Sequence, residues 1–148
     1  MRDWVIERLS DRAIERGKGL MTSKPAVIRD RTKGLALRIV NLFRSLPRTE
    51  EARVMGRQVL RSGTSVAANY RAVCRARSKA EFVSKMGIVV EETDETLFWL
   101  ELLGEAGIVT PVKLKCLKAE VEELLRIFVA SQRTAKSGRY CTIGQEVA

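Results

Sequence analysis

Phe82, Met86, Val89, Thr93, Thr96, Leu100 and Leu103 recur at spacings of 4, 3, 4, 3, 4 and 3. Residues spaced this way line up on one face of an α-helix and on neither face of a strand. Just before the stripe stands Ser78-Lys79-Ala80-Glu81, a Ser at the N-cap with Glu three residues on, the pattern of a capping box. The stripe continues to about Glu105, before Gly107. A helix of that length, near 40 Å at about 1.5 Å per residue, buries its apolar line only against other long helices.

The sequence supplies them. Ile28, Thr32, Leu35, Ile39 and Leu42 form a second stripe over about Ala26 to Ser45, ended by Pro47. Leu114, Leu117, Val121, Leu124 and Phe128 form a third, after Thr110-Pro111 offers an N-cap and an N1 proline, and fading near Ser131. Between them, about Glu50 to Ala76 reads as one helix, with Thr49 as cap and Glu50 and Glu51 in its first turn. Its middle is small: Ser62, Gly63, Thr64, Ser65, Ala67, Ala68 and Ala72. Gly63 and Thr64 are poor helix formers, so this segment is expected to offset that weakness by close packing, with room for a kink near Gly63. Four long helices joined by short loops make neighbours antiparallel. The expectation is an all-α, up-down-up-down four-helix bundle over residues 25–132. Residues 1–24 are expected to be an N-terminal extension, mobile or an artefact of an early start, since Met21 offers a second start. Residues 133–148 are expected to be a disordered tail.

Three pieces carry a resemblance: Leu60 to Ala72 (LRSGTSVAANYRA), Ser78 to Met86 (SKAEFVSKM) and Glu91 to Leu103 (EETDETLFWLELL). They resemble the bacterial four-helix-bundle family that includes proteins encoded in intervening sequences of 23S ribosomal RNA genes. The accessory variability determinant of diversity-generating retroelements is related to that family. The resemblance spans roughly Arg31 to Gln132. It implies a ring-shaped homopentamer, an association with RNA or DNA, and a reverse transcriptase or another protein as partner. It brings no catalytic residues. Many members carry Asn-Ile-Ala-Glu-Gly where this chain has Asn69-Tyr70-Arg71-Ala72-Val73.

The residues by themselves restrict the chemistry. There is no histidine, which removes the commonest general base and metal ligand, the Ser-His-Asp and Cys-His systems and the di-iron Glu-x-x-His motif. No phosphate loop is present, because Gly56 to Gly63 lacks the closing Gly-Lys-Ser/Thr. Glu91, Glu92, Asp94 and Glu95 are the one carboxylate cluster. Its expected use is ion pairing with Arg61, Arg71 and Arg75 on the preceding helix, rather than cation binding or acid–base work. No catalytic role, cofactor or metal is expected. Cys74, Cys116 and Cys141 are odd in number and lack C-x-x-C spacing. They suit reduced thiols in a cytoplasm, with Cys74 and Cys116 as core fillers. No run of apolar residues reaches membrane-spanning length.

Two surfaces remain to be used. Leu97-Phe98-Trp99-Leu100, with Leu102 and Leu103, is apolar nearly all round, more than a bundle core takes up. Phe98, Trp99 and Leu102 are therefore expected to face another subunit. Charge is the second feature. Of a net +9, residues 1–85 hold +12 and residues 86–148 hold −3. Arg44, Arg48, Arg53 and Arg57 lie about the first loop, and Arg71, Arg75, Arg77 and Lys79 about the second. Arginine suits bidentate phosphate contacts, so both clusters are candidate nucleic-acid contacts, sequence-independent in character. Arg61 is assigned instead to ion pairs with Glu92 and Glu95. The alternative is a structural or protein-binding oligomer whose basic surface serves solubility.

Overall fold

A computed structural model describes residues 24–137. They form four α-helices: α1 (Lys24–Ser45), α2 (Glu50–Val73), α3 (Lys79–Glu105) and α4 (Pro111–Lys136). Among the described residues there is no strand. Successive helices pack as antiparallel neighbours, α1 on α2, α2 on α3 and α3 on α4, which gives the four-helix bundle expected from the stripes. None of these helices is long and apolar enough to cross a membrane. The expected N-terminal extension, apart from Lys24, and the chain beyond Ser137, Cys141 included, lie outside the described residues.

The stripes are the core. Met86, Val89, Thr93, Thr96, Leu100 and Leu103 of α3 are all buried, and Phe82, at the open end, is half-buried. Leu114, Leu117, Val121, Leu124 and Phe128 of α4 and Thr32, Leu35 and Ile39 of α1 are buried with them. Tyr70 of α2 meets Phe128 of α4 across the bundle, ring centroids 5.5 Å apart. The buried hydroxyls are satisfied: Thr96 Oγ1 donates to Glu92 O at 2.7 Å and lies 3.0 Å from Ser62 Oγ across the α2–α3 seam.

The small middle of α2 works as expected. Ser62 and Gly63 are buried, and a Cβ added at Gly63 would sit 2.8 Å from Ile39 Cγ1 of α1. Only glycine admits that approach, and α2 runs through it as one helix. Gly107 plays a different part. It takes φ of 70° just beyond α3, the left-handed turn that glycine adopts without steric cost. Ile108 and Val109 then donate back to Leu103 O, both at 3.1 Å.

The α1–α4 seam is looser than the others. Arg31 of α1 holds it, donating through Nε and Nη2 to the two carboxylate oxygens of Glu120, each at 3.0 Å, and pairing with Glu123 at 3.1 Å.

Several boundaries differ from the sequence expectations. Helix α2 stops at Val73 rather than Ala76, because Arg75 N and Ala76 N already turn back to Ala72 O and Val73 O. Helix α4 continues to Lys136, past Ser131, and Ala135 is fully buried; one small residue sufficed where the apolar stripe had ended. Thr110 sits at the N-cap of α4 without a side-chain capping bond. At α3, Ser78 Oγ accepts from Glu81 N at 3.0 Å, but the Glu81 carboxylate takes the N–H of Arg77, at 2.8 Å, instead of that of Ser78. Cys74 and Cys116 are exposed, so they are not core fillers. Each falls one position away from an apolar line, Cys74 next to buried Val73 and Cys116 next to buried Leu117.

Candidate nucleic-acid interface

The α2–α3 seam carries the charged side chains that matter. Near its middle Arg61 reaches across from α2 to Glu92, 3.4 Å away, and to Glu95 on α3. Trp99 Nε1 donates to the same Glu95 carboxylate at 3.1 Å. The Arg61 hydrogen bond, followed by that of Trp99, holds Glu95 below the usual carboxylate range, and the same contact raises Arg61 above its already high value. Both partners are ionised at any physiological pH. Of the three arginines expected to pair with the α3 acids, only Arg61 does so. Arg71 and Arg75 form no ion pair with a described residue, because they lie two to four turns nearer the second loop than those acids.

That leaves the second cluster open. Arg71, Arg75, Arg77 and Lys79 are all exposed, around the turn where α2 ends and α3 begins. The one acid close to them in sequence is already engaged. Glu81 accepts from Lys85, with Nζ 2.5 Å from Oε1, and from the backbone N–H of Arg77. Those two contacts, Lys85 first, hold its carboxyl below the usual range. Arg29 of α1 adds to the same end, and its charge favours the thiolate form of Cys74. Cys74 is exposed as a residue, yet its thiol is partly screened from water. That desolvation raises its pKa and outweighs the lowering by Tyr70 and Arg29. A thiol so placed is a poor nucleophile.

Between the helices the cluster becomes concave. Ala68, Arg71, Ala72, Arg75 and Lys85 line a depression of about 400 Å³. Lys85 was not among the residues singled out by the sequence. It stands seven residues past the turn and, at i+4 from Glu81, reads as an ordinary helix-surface pair. The signal was in the antiparallel register: a chain that sets Arg61 opposite Glu92 and Glu95 sets Arg71 opposite Lys85.

The first cluster is more dispersed. Arg44, Arg48, Arg53 and Arg57 are exposed, and Arg53 pairs with Glu50 at 3.3 Å. Antiparallel packing puts this cluster and the second at opposite ends of the bundle.

On the far side of Arg61 the seam is apolar. Phe98 is 52% exposed, and Trp99 and Leu102 are half-buried. The rings of Phe98 and Trp99 meet edge to face, with centroids 4.9 Å apart. Val54 of α2, also 52% exposed, falls at the same level by the register that Arg61 sets. No group of three or more Cys, Asp or Glu side chains among the described residues is placed to hold a metal ion.

Comparison with known proteins places these features in context. A family model described as 23S rRNA-intervening sequence protein matches residues 26–130. The match takes in the whole α2–α3 seam. Among solved structures, the chain is similar to a protein of unknown function from the S23 ribosomal protein family of Bacteroides thetaiotaomicron. The two share 35% sequence identity with a TM-score of 0.68, over 73% of this chain and 100% of that one. No curated protein matches the chain.

Proposed function

This chain belongs to the 23S rRNA-intervening sequence protein family, and from that premise we propose that it is a non-catalytic RNA-binding accessory protein working as a closed ring of five subunits. The observation that carries the RNA reading is the second basic cluster. Arg71, Arg75, Arg77 and Lys79 are exposed and make no side-chain ion pair with a described residue, while the nearby acid, Glu81, takes the Lys85 ammonium and the backbone N–H of Arg77. Cations left unneutralised at one end of a protein of net +9 attract a polyanion over about a Debye length, ~8 Å at physiological salt. The family's name supports RNA over DNA. The absence of histidine supports a binding role over a catalytic one. A ring would repeat each cluster, so that individually weak phosphate contacts act together. The exposed Phe98 with Trp99 and Leu102 gives such a ring an apolar contact.

The same apolar surface supports a second reading, a structural oligomer that binds a protein such as a reverse transcriptase and no nucleic acid. A filter-binding titration against structured RNA at two salt concentrations separates the two. The RNA reading expects a dissociation constant of roughly 1 μM or below, rising steeply with salt as counterions are released. It also expects a large loss in an Arg75→Glu, Arg77→Glu double variant that keeps its oligomeric state. Equal binding by the variant would remove this site. No binding by the natural chain would leave the protein-partner reading.

A further inference from the structure

We infer that the depression between α2 and α3 is a discrete phosphate subsite, in which Arg71, Arg75 and Lys85 take one phosphodiester of an RNA backbone beside Ala68 and Ala72. The inference rests on the RNA reading and sharpens it from a charged end to a shaped site. Three features carry it. Three cations, one on α2, one in the turn that follows it and one on α3, border one concavity of about 400 Å³, and no acid lines it. Two of the five lining residues are alanines, whose short side chains leave room for an anion near the helix surface. Arg71 stands in the last turn of α2 and Arg75 in the turn just beyond its end, and both border the depression. A guanidinium fork suits bidentate contact with a phosphate and the Lys85 ammonium adds a compact point charge.

Lys85 is the residue that turns the cluster into a site. Its ammonium is paired with Glu81, at 2.5 Å, and keeps further N–H donors for a ligand. Arg77, before α3, and Lys79, its first residue, do not line the depression. The subsite therefore predicts unequal roles within a cluster that composition would treat as uniform.

Two charge-matched double variants test this, both built on exposed positions, with circular dichroism and light scattering to establish that fold and assembly are kept. Arg71→Ala with Arg75→Ala should weaken binding to a structured RNA by at least about tenfold and flatten the salt dependence by about one phosphate contact. Arg77→Ala with Lys79→Ala removes the same charge and should weaken binding by about threefold or less, the loss expected of long-range attraction alone. Equal losses would overturn the subsite and leave RNA binding standing. A second arm uses the natural chain and an arginine-selective reagent, phenylglyoxal, read residue by residue by mass spectrometry. Inorganic phosphate should slow modification of Arg71 and Arg75 and leave Arg48 and Arg77 unchanged; uniform or absent protection would overturn the subsite. Selective protection by phosphate in a chain that binds no RNA would sustain the subsite and overturn the proposed function instead. Stronger protection by hexaglutamate than by RNA would overturn the phosphodiester assignment in favour of an acidic protein segment.

Discussion

Arg61 divides the α2–α3 seam into two halves of opposite character. Towards the second loop, the seam is lined by Arg71, Arg75 and Lys85 with two alanines. In the other direction it presents Phe98, Trp99 and Leu102, with Val54 at the same level. The backbone differs little between the halves, and both are built on the same buried line of Val59, Val66, Val89, Thr96 and Leu100. What differs is the residue one or two positions off that line. Small residues beside cations make a wet, anion-attracting depression. Large aromatics beside aliphatics make a surface that gains by leaving water, at about 25 cal/mol per Å². The clasp of Arg61 with Glu92 and Glu95 offsets part of the negative charge of α3 where the two halves meet. The lesson is that a bundle's inner positions set where its helices lie, and the flanking positions assign separate tasks along one seam.

The largest effect should come from breaking what both halves share. Leu100→Asp places a carboxylate at a fully buried position; with no compensating partner it should consume most of the about 5–15 kcal/mol by which such domains are stable. Circular dichroism should show the loss of helix. Phe98→Glu, two residues earlier on the same helix but 52% exposed, should keep its helix content and lose assembly. If the proposed ring of five forms, light scattering should then fall from about five times the 16.6 kDa chain mass towards that of a single chain. If Phe98→Glu unfolds the protein as Leu100→Asp does, the distinction between inner and outer faces fails.

Gly63→Val tests the foundation more gently. Its side chain would enter the space held by Ile39, and overpacking of this kind costs about 1–3 kcal/mol. Thermal unfolding should shift downwards with RNA affinity and assembly unchanged below the transition.

The smallest effect concerns the divider. The Arg61–Glu95 pair is partly exposed, so solvent screens it, and its contribution should stay under about 1 kcal/mol. Because Glu95 titrates lower in the folded chain than in the unfolded one, its contribution is full above the ordinary carboxylate range. It is lost as pH falls through the depressed folded value. Stability measured between neutral pH and pH 3 should therefore fall less steeply in Glu95→Gln than in the natural chain. The same variant should also shift the fluorescence of Trp99, whose indole donates to that carboxylate.

The sequence by itself determined the helices, their order and their buried faces. Heptad spacing, caps and loop lengths act over a few residues, so Met86, Val89 and Leu100 could be placed inward without knowing what they would meet. It also made Arg71, Arg75, Arg77 and Lys79 candidates, since residues about one turn are neighbours in any fold. The tertiary structure decided what depends on how the helices are rotated and set in register against one another. That is why Lys85, distant from the turn in sequence, stands beside Arg71 and Arg75. It is why one arginine of three met the α3 acids. It is also why Cys74 and Cys116 came out exposed: a position one step off the stripe turns by about 100°, and only the neighbouring helix settles whether that direction is core or solvent. The α4 extension to Lys136 was hidden for a related reason, because Ala135 is buried by what packs around it and carries too little apolar surface to announce itself.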